Sequence, residues 1–313
     1  MKILIVSKIH EYFVEKIQQA GHTCVVKILK DSSELEPMIQ EYDGVVVNSR
    51  FFIGKEMIDN AVQLKFLARI GSGMESIDTD YLEQKGIHWF NSPEGNRQAV
   101  GEHTLGLLLN LLNKINIADR QVRNGQWIRE SNRGMEISGK TIGIIGYGNM
   151  GSAFARCLYG FNANVIAYDK YKSAYSDNYV CEKSLKEVFE QADIVSIHVP
   201  LTEETKYMVN DTFFRSFKKN IFIINTSRGK VLNTADLVEN MKKGKVRGAA
   251  LDVLEYESVS FETIGLDNFP EPLQYLVKAE NVILTPHIAG WSVESNLKHA
   301  QVLAEKILKE FKM

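Results

Sequence analysis

The chain has 313 residues, enough for two domains and for a core that needs no disulfide or metal staple. Apolar residues make up 44% and charged residues 24%, both near the globular average, which excludes a disordered chain and a coiled coil. With 37 basic and 39 acidic side chains the formal charge is -2, so no general positive field exists to attract nucleic acid or anionic lipid, and neither is an expected partner.

The start, MKILIVSKIH, has too short an apolar run for a signal-peptide core, and the longest internal apolar stretch, near 105–112, falls far short of a membrane span. Cys24, Cys157 and Cys181 are widely separated with no metal-ligand spacing. They are expected to be reduced, small buried hydrophobes in a cytoplasmic protein that binds no metal.

Taken in chain order, short β-branched runs alternate with amphipathic segments from the first residue. Strands are predicted at 2–6 (KILIV), 23–29, 45–48, 66–70 and 87–90, with helices at 11–20, 54–61 and 79–85. The first ~95 residues therefore read as one small parallel α/β unit. A long helix is predicted over 98–124, with Leu105, Leu108, Leu109, Leu112 and Ile115 on its apolar face and Gly125 as its stop. A second α/β series follows, with six strands at 141–146, 164–169, 193–199, 221–226, 246–253 and 281–287, the pattern of a doubly wound dinucleotide fold. The remainder, 291–313, is one amphipathic helix, too little for a third domain.

Gly146, Gly148 and Gly151 in IGIIGYGNMG form GxGxxG, a weak signal alone. Context strengthens it: the triplet follows a buried-type strand, and Asn149 and Met150 open the next helix, so free N–H groups face the place where a pyrophosphate would lie. Eighteen residues after Gly151 the next strand ends in Asp169. A carboxylate there accepts hydrogen bonds from ribose hydroxyls and repels a 2′-phosphate, which favours NAD over NADP. Lys170 and Lys172 beside it could soften that choice.

Three further fragments fall near strand C-termini, where open α/β sheets bind ligands. They are INTSRGKV with Arg228, ALDVLEYE with Asp252 and Glu257, and LTPHIAGW with His287. Arg forks onto a carboxylate, His exchanges the proton of an alcohol, and Glu holds the imidazole and favours its charged form.

Five motifs in this order, GSGMESID at 71–78, the glycine turn, HVPLTEET at 198–205, NTSRG at 225–229 and the TPH ending at His287, resemble the D-isomer-specific 2-hydroxyacid dehydrogenases. The likeness runs from about Gly71 to Gly290 and weakly beyond both ends. It implies that Arg228, Glu257 and His287 form the catalytic set, and that Asp252 lies near the nicotinamide. His198, Pro200, Thr205 and Thr226 would line the cofactor, and backbone amides around Ser72 and Gly73 would hold the substrate carboxylate. Glu255, two residues before Glu257, is the competing carboxylate, and the family's usual proline after the glutamate is replaced here by Ser258. Residues 1–97 and 288–313 are expected to form a flavodoxin-like substrate domain, into which a Rossmann domain at 98–287 is inserted. The 98–124 helix and the following loop resemble the family's dimer arm, implying a homodimer.

The expected activity is NAD-dependent interconversion of a small D-2-hydroxy acid and its 2-oxo acid, of the phosphoglycerate dehydrogenase or hydroxypyruvate reductase type. The alternatives are a D-lactate dehydrogenase type of enzyme and a dinucleotide-sensing corepressor. Arg50, after the third strand, and Arg97 are candidates for a substrate phosphate or second carboxylate. His10, His22 and His299 have no partner motif and are expected to be solvated; His103, in VGEHTLGLL, resembles the family's helix signature, which implies a role in packing and hydrogen bonding.

Overall fold

The computed structural model describes residues 1–257 and 269–311. They divide into two compact units, Met1–Arg97 with 291–311, and 98–257 with 269–290.

In the first unit the elements are β1 (Lys2–Ile5), α1 (Glu11–Gln19), β2 (Thr23–Val26), α2 (Ser32–Leu35), β3 (Gly44–Val47), α3 (Lys55–Asn60), β4 (Phe66–Arg69), α4 (Thr79–Gln84) and β5 (His88–Phe90). The strands form one parallel sheet in the order β2-β1-β3-β4-β5. Period two sorts the same strands onto two faces. Leu4, Val45, Val47 and Leu67 pack with Leu35, Met57 and Leu82 of α2 to α4, whereas Ile3, Ile5, Val46, Phe66 and Ala68 pack with Phe13 and Ile17 of α1 and with Ala300, Leu303 and Ile307. The last three lie on the C-terminal helix, Val293–Glu310, capped by Ser292. A sheet covered on both sides needs unbroken apolar strands, which is why GVVV is buried throughout.

α5 (Pro93–Asn113) and α6 (Ile115–Arg123) stand where a single helix over 98–124 was expected. Proline at the first helical position starts α5 five residues early. Lys114, in the left-handed region at φ 54°, breaks the run, and Gly125 at φ 75° follows the end of α6.

The second unit continues with β6 (Thr141–Ile145), α7 (Asn149–Cys157), β7 (Asn164–Tyr168), β8 (Cys181–Glu182), α8 (Leu185–Gln191), β9 (Ile194–Ile197), α9 (Asp211–Ser216), β10 (Ile221–Asn225), α10 (Thr234–Lys242), β11 (Val246–Leu251), α11 (Glu271–Lys278) and β12 (Val282–Leu284); the C-terminal helix of the first unit is α12. The parallel order is β12-β11-β10-β9-β6-β7-β8. The two-residue edge strand β8 was not expected. Ile221 and Ile223 face one core with Phe214, Leu237 and Leu276, and Phe222 and Ile224 face the other with Leu108, Leu112 and Phe154. Order reverses between β9 and β6, so the C-terminal ends of those strands form the switch point where such sheets receive ligands.

Candidate active site

Gly146 takes φ 92°, and a Cβ there would stand 2.8 Å from the His198 carbonyl. A Cβ on Gly151 would stand 2.2 Å from the Gly146 carbonyl, so α7 can pack this close to the turn only with glycine. Around Gly148 there is open space, and no side chain caps the N-terminus of α7. The amides opened by Asn149 and Met150 thus begin a helix whose positive end is available to an anion.

Asp169 directly follows β7. Its Oδ2 accepts the Tyr147 N–H at 2.8 Å, and Oδ1 accepts those of Tyr171 at 2.9 Å and Lys172 at 3.1 Å. The carboxylate is thereby fixed beside the glycine turn. The flanking lysines are engaged: Lys170 pairs with Glu204, to which the Tyr171 hydroxyl also donates, and the Lys172 ammonium donates to the Tyr147 carbonyl at 3.0 Å. Tyr147 and Tyr175 stack at 4.9 Å, and burial pushes both hydroxyls up to about 12.

His198 follows β9 and is buried. Its Nε2 lies 2.8 Å from the Ser196 hydroxyl, its ring meets Phe154 at 5.7 Å, and its Nδ1 is buried without a hydrogen-bond partner among the described residues. Burial lowers its pKa to about 3, so the ring is neutral at physiological pH. Thr205 is spent on its own loop, accepting the Thr202 N–H and donating to the Pro200 carbonyl at 2.6 Å. Thr226 is buried, its hydroxyl 3.1 Å from that of Thr104 on α5.

After β10, Asn225 shapes the loop that presents Arg228: its Oδ1 accepts from the backbone and hydroxyl of Ser227, and its Nδ2 donates to the Arg228 carbonyl. After β11, Asp252 is 1% exposed and organises the segment that follows β12. Its Oδ1 accepts from the Thr285 hydroxyl at 2.6 Å and the Ile288 N–H at 2.9 Å, and its Oδ2 accepts the Ala289 N–H at 2.9 Å. The Asp252 carbonyl takes the His287 N–H at 2.7 Å. His103 on α5 adds a contact to Thr285 at 3.2 Å. These bonds hold His287 in the left-handed region at φ 56°, a conformation uncommon for a non-glycine residue. Its Nδ1 lies 3.1 Å from Glu257 Oε2, with side-chain exposures of 27% and 25%. Glu255 is elsewhere, accepting the Thr234 N–H at the start of α10 at 3.0 Å and the Tyr207 hydroxyl. The second unit therefore brings Arg228, Asp252, Glu257 and His287 to strand ends of the sheet that carries the glycine turn.

In the first unit, the Ser72 hydroxyl donates to Asn96 Oδ1 at 2.8 Å, and Ser72 and Gly73 are partly exposed. Arg50 is exposed, its N–H donating to Asn48 Oδ1. Two histidines depart from expectation. His22 is buried with its Nδ1 3.2 Å from the N-terminal amine, and His299 is buried against Ser92; each partner is far away in sequence, where no local motif announces it. None of the three cysteines is buried as expected: Cys24 and Cys157 are half-buried and Cys181 is exposed. Among the described residues no cluster of His, Cys, Asp or Glu could hold a metal, and no helix is long and apolar enough to cross a membrane.

Residues 105–289 match the model of the D-isomer specific 2-hydroxyacid dehydrogenase NAD binding domain. The chain belongs to this family. Over 310 residues it is 34% identical to a D-3-phosphoglycerate dehydrogenase of Archaeoglobus fulgidus, an alignment covering 98% of this chain but only 57% of that relative. Over 280 residues it is 34% identical to a hydroxypyruvate reductase of Thermotoga maritima, covering 90% of this chain and 88% of the relative. Its fold superimposes with a TM-score of 0.83 on a D-lactate dehydrogenase of Aquifex aeolicus complexed with NAD and lactic acid, at 26% identity, covering 99% of this chain and 95% of that one. The glycine turn, the open space at Gly148 and the orphan Nδ1 of His198 fit the dinucleotide that this family's domain binds.

Proposed function

We propose that the protein is an NAD-dependent oxidoreductase that interconverts a small D-2-hydroxy acid and its 2-oxo acid. The observation that carries this reading is the His287–Glu257 pair, 3.1 Å apart, in the unit whose dinucleotide-binding sheet also presents Arg228 after β10. When bound, NAD(H) supplies or accepts the hydride at C2 of the substrate. The residues of this chain do the rest. Gly146, Gly148 and Gly151, with the amides at Asn149 and Met150, cradle the pyrophosphate, and Asp169 accepts the adenosine ribose hydroxyls. His198, Pro200, Thr205 and Thr226 line the cofactor, and Asp252 stands near the nicotinamide while it fixes the His287 segment.

Glu257 accepts the Nδ1–H of His287, which assigns proton exchange to Nε2. In reduction Nε2 donates its proton to the carbonyl oxygen as it becomes an alcohol; in oxidation it takes that proton back. Through this hydrogen bond Glu257 orients the ring and stabilises the imidazolium that is consumed in reduction and formed in oxidation. Arg228 forks onto the carboxylate and oxo oxygens and orients the reacting carbon. The amides at Ser72 and Gly73 hold the carboxylate, and Arg50 receives a second anionic group where the substrate carries one.

This reading includes a cytoplasmic location, supported by three free thiols, and a homodimer. Support for the dimer comes from α6 and the loop after it, where Ile115, Val122 and Trp127 are 51%, 52% and 80% exposed and Ile128 joins them. Such an apolar patch is more than single scattered residues and suits a self-complementary contact.

The experiment is NADH absorbance with glyoxylate, hydroxypyruvate, 3-phosphohydroxypyruvate and pyruvate. Oxidation of NADH with at least one of them, giving the D-hydroxy acid, is expected; failure with all four removes the proposal.

A further inference from the structure

The segment Gly71–Ser72 is held by backbone and side-chain bonds from two consecutive residues, Asn91 and Ser92. Gly71, at φ 124°, donates its N–H to the Ser92 hydroxyl at 3.0 Å and accepts the Ser92 N–H at 2.8 Å. Asn91 Nδ2 donates to the Ser72 carbonyl at 2.7 Å. Both of these residues are in turn held from α12. His299 Nδ1 lies 2.8 Å from the Ser92 hydroxyl and 3.0 Å from the Ser92 carbonyl, and Lys306 donates to the Asn91 carbonyl at 2.9 Å while pairing with Glu94 at 2.9 Å. His299 and Lys306 are seven residues apart, two turns along the same face of the helix.

The geometry chooses the state of His299. A proton on Nδ1 satisfies the Ser92 carbonyl, which would otherwise face a lone pair at 3.0 Å, and it turns the Ser92 O–H toward the Gly71 carbonyl 3.5 Å away. Burial and the Arg69 charge lower the pKa of the ring, and the bond to the Ser92 backbone works against them. Room for this contact is provided at Gly95, where a Cβ would stand 2.6 Å from His299 Nδ1 and 2.8 Å from its backbone N. The same Cβ would stand 2.9 Å from the His299 Cα, so glycine at 95 also lets the backbone of α12 approach this closely.

We propose that α12 acts as a brace in which His299 and Lys306, through Ser92 and Asn91, set the conformation of the Gly71–Ser72 loop and thereby position the amides that hold the substrate carboxylate. His299 is a positioning residue, and the inference rests on the proposed role of Ser72 and Gly73.

The test compares wild type, His299→Leu and His299→Asn by steady-state kinetics with glyoxylate and NADH, together with NADH binding by fluorescence titration. Asparagine keeps an N–H donor near the position of Nδ1; leucine fills the space without one. His299→Leu should raise the KM for glyoxylate about tenfold, the scale of one lost buried hydrogen bond, with kcat at saturation and NADH affinity close to wild type. His299→Asn should recover most of the loss. An unchanged KM in folded His299→Leu, or a loss of kcat and NADH affinity in place of KM, overturns the brace. Absence of turnover in the wild type with every 2-oxo acid overturns the underlying reading, and the brace with it. Should His299→Leu fail to fold, Lys306→Met carries the test: a smaller rise in KM supports the brace, and no change refutes it.

Discussion

Lowering the pH from 7 to 5 should cost the wild-type protein thermal stability that a His198→Gln variant retains. Burial holds the His198 imidazole down at about 3 in the folded chain, whereas an unfolded chain titrates it near the ordinary histidine value of about 6.5. Above the unfolded value both states are neutral and the contribution of the buried ring is complete. As the pH falls below it, the unfolded state takes up a proton that the native state refuses, so stability is lost progressively down toward about pH 3. Each pH unit is worth about 1.4 kcal/mol, so the 1.5 units down to pH 5 correspond to about 2 kcal/mol, or roughly 4 to 8 °C in Tm for a unit of this size. Scanning calorimetry without cofactor at the two pH values gives the comparison. His22 and His299 are also lowered by burial, but they contribute equally to both proteins, so the difference between the proteins isolates His198. Equal losses of Tm in wild type and variant would refute the reasoning, because they would mean that His198 titrates alike in both states.

Asp169→Ser should lower the preference for NADH over NADPH, read as the ratio of kcat/KM values; a wild-type enzyme more efficient with NADPH would remove the role given to Asp169. Gly151→Ala should weaken NADH binding measured by calorimetry, since its Cβ would stand 2.2 Å from a backbone oxygen that cannot withdraw, and unaltered affinity would contradict that. Arg50→Ala should raise the KM for a phosphorylated 2-oxo acid roughly 10 to 150 fold, the range for a lost charge-assisted bond, and leave glyoxylate almost untouched. Equal effects on both substrates would reassign Arg50 to the common carboxylate. Trp127→Glu should shift the protein toward monomer in light scattering if the exposed apolar arm is a self-contact.

Much of the fold is legible because its signals are local. Runs such as GVVV at 44–47 and TIGII at 141–145 are apolar on both faces, which only a covered parallel sheet requires, and the glycine triplet stands between a strand and a helix. What is illegible depends on partners remote in the chain or on conformations that residue type does not announce. Lys114 breaks the helix in a left-handed conformation with no glycine or asparagine to signal it, and β8 is two residues, one of them charged, which pair only because β7 already offers an edge. Buried His299 has its partner 207 residues away. At the site, the five-residue spacing from Asp252 picks Glu257 over Glu255 in the sequence, but the reason is three-dimensional: Glu255 is occupied at the start of α10, and Glu257 is the carboxylate beside His287. The left-handed backbone of His287 and the network around Asp252 that maintains it have no sequence signature.

The most direct measurement of the central claim is the kcat for 2-oxo acid reduction of His287→Ala alongside its NADH dissociation constant. The account predicts a fall in kcat of about 10² to 10⁴, the range for a lost general acid, with NADH affinity near that of the wild type. A kcat within a few fold of wild type would contradict it, since proton delivery would then have to come from another group.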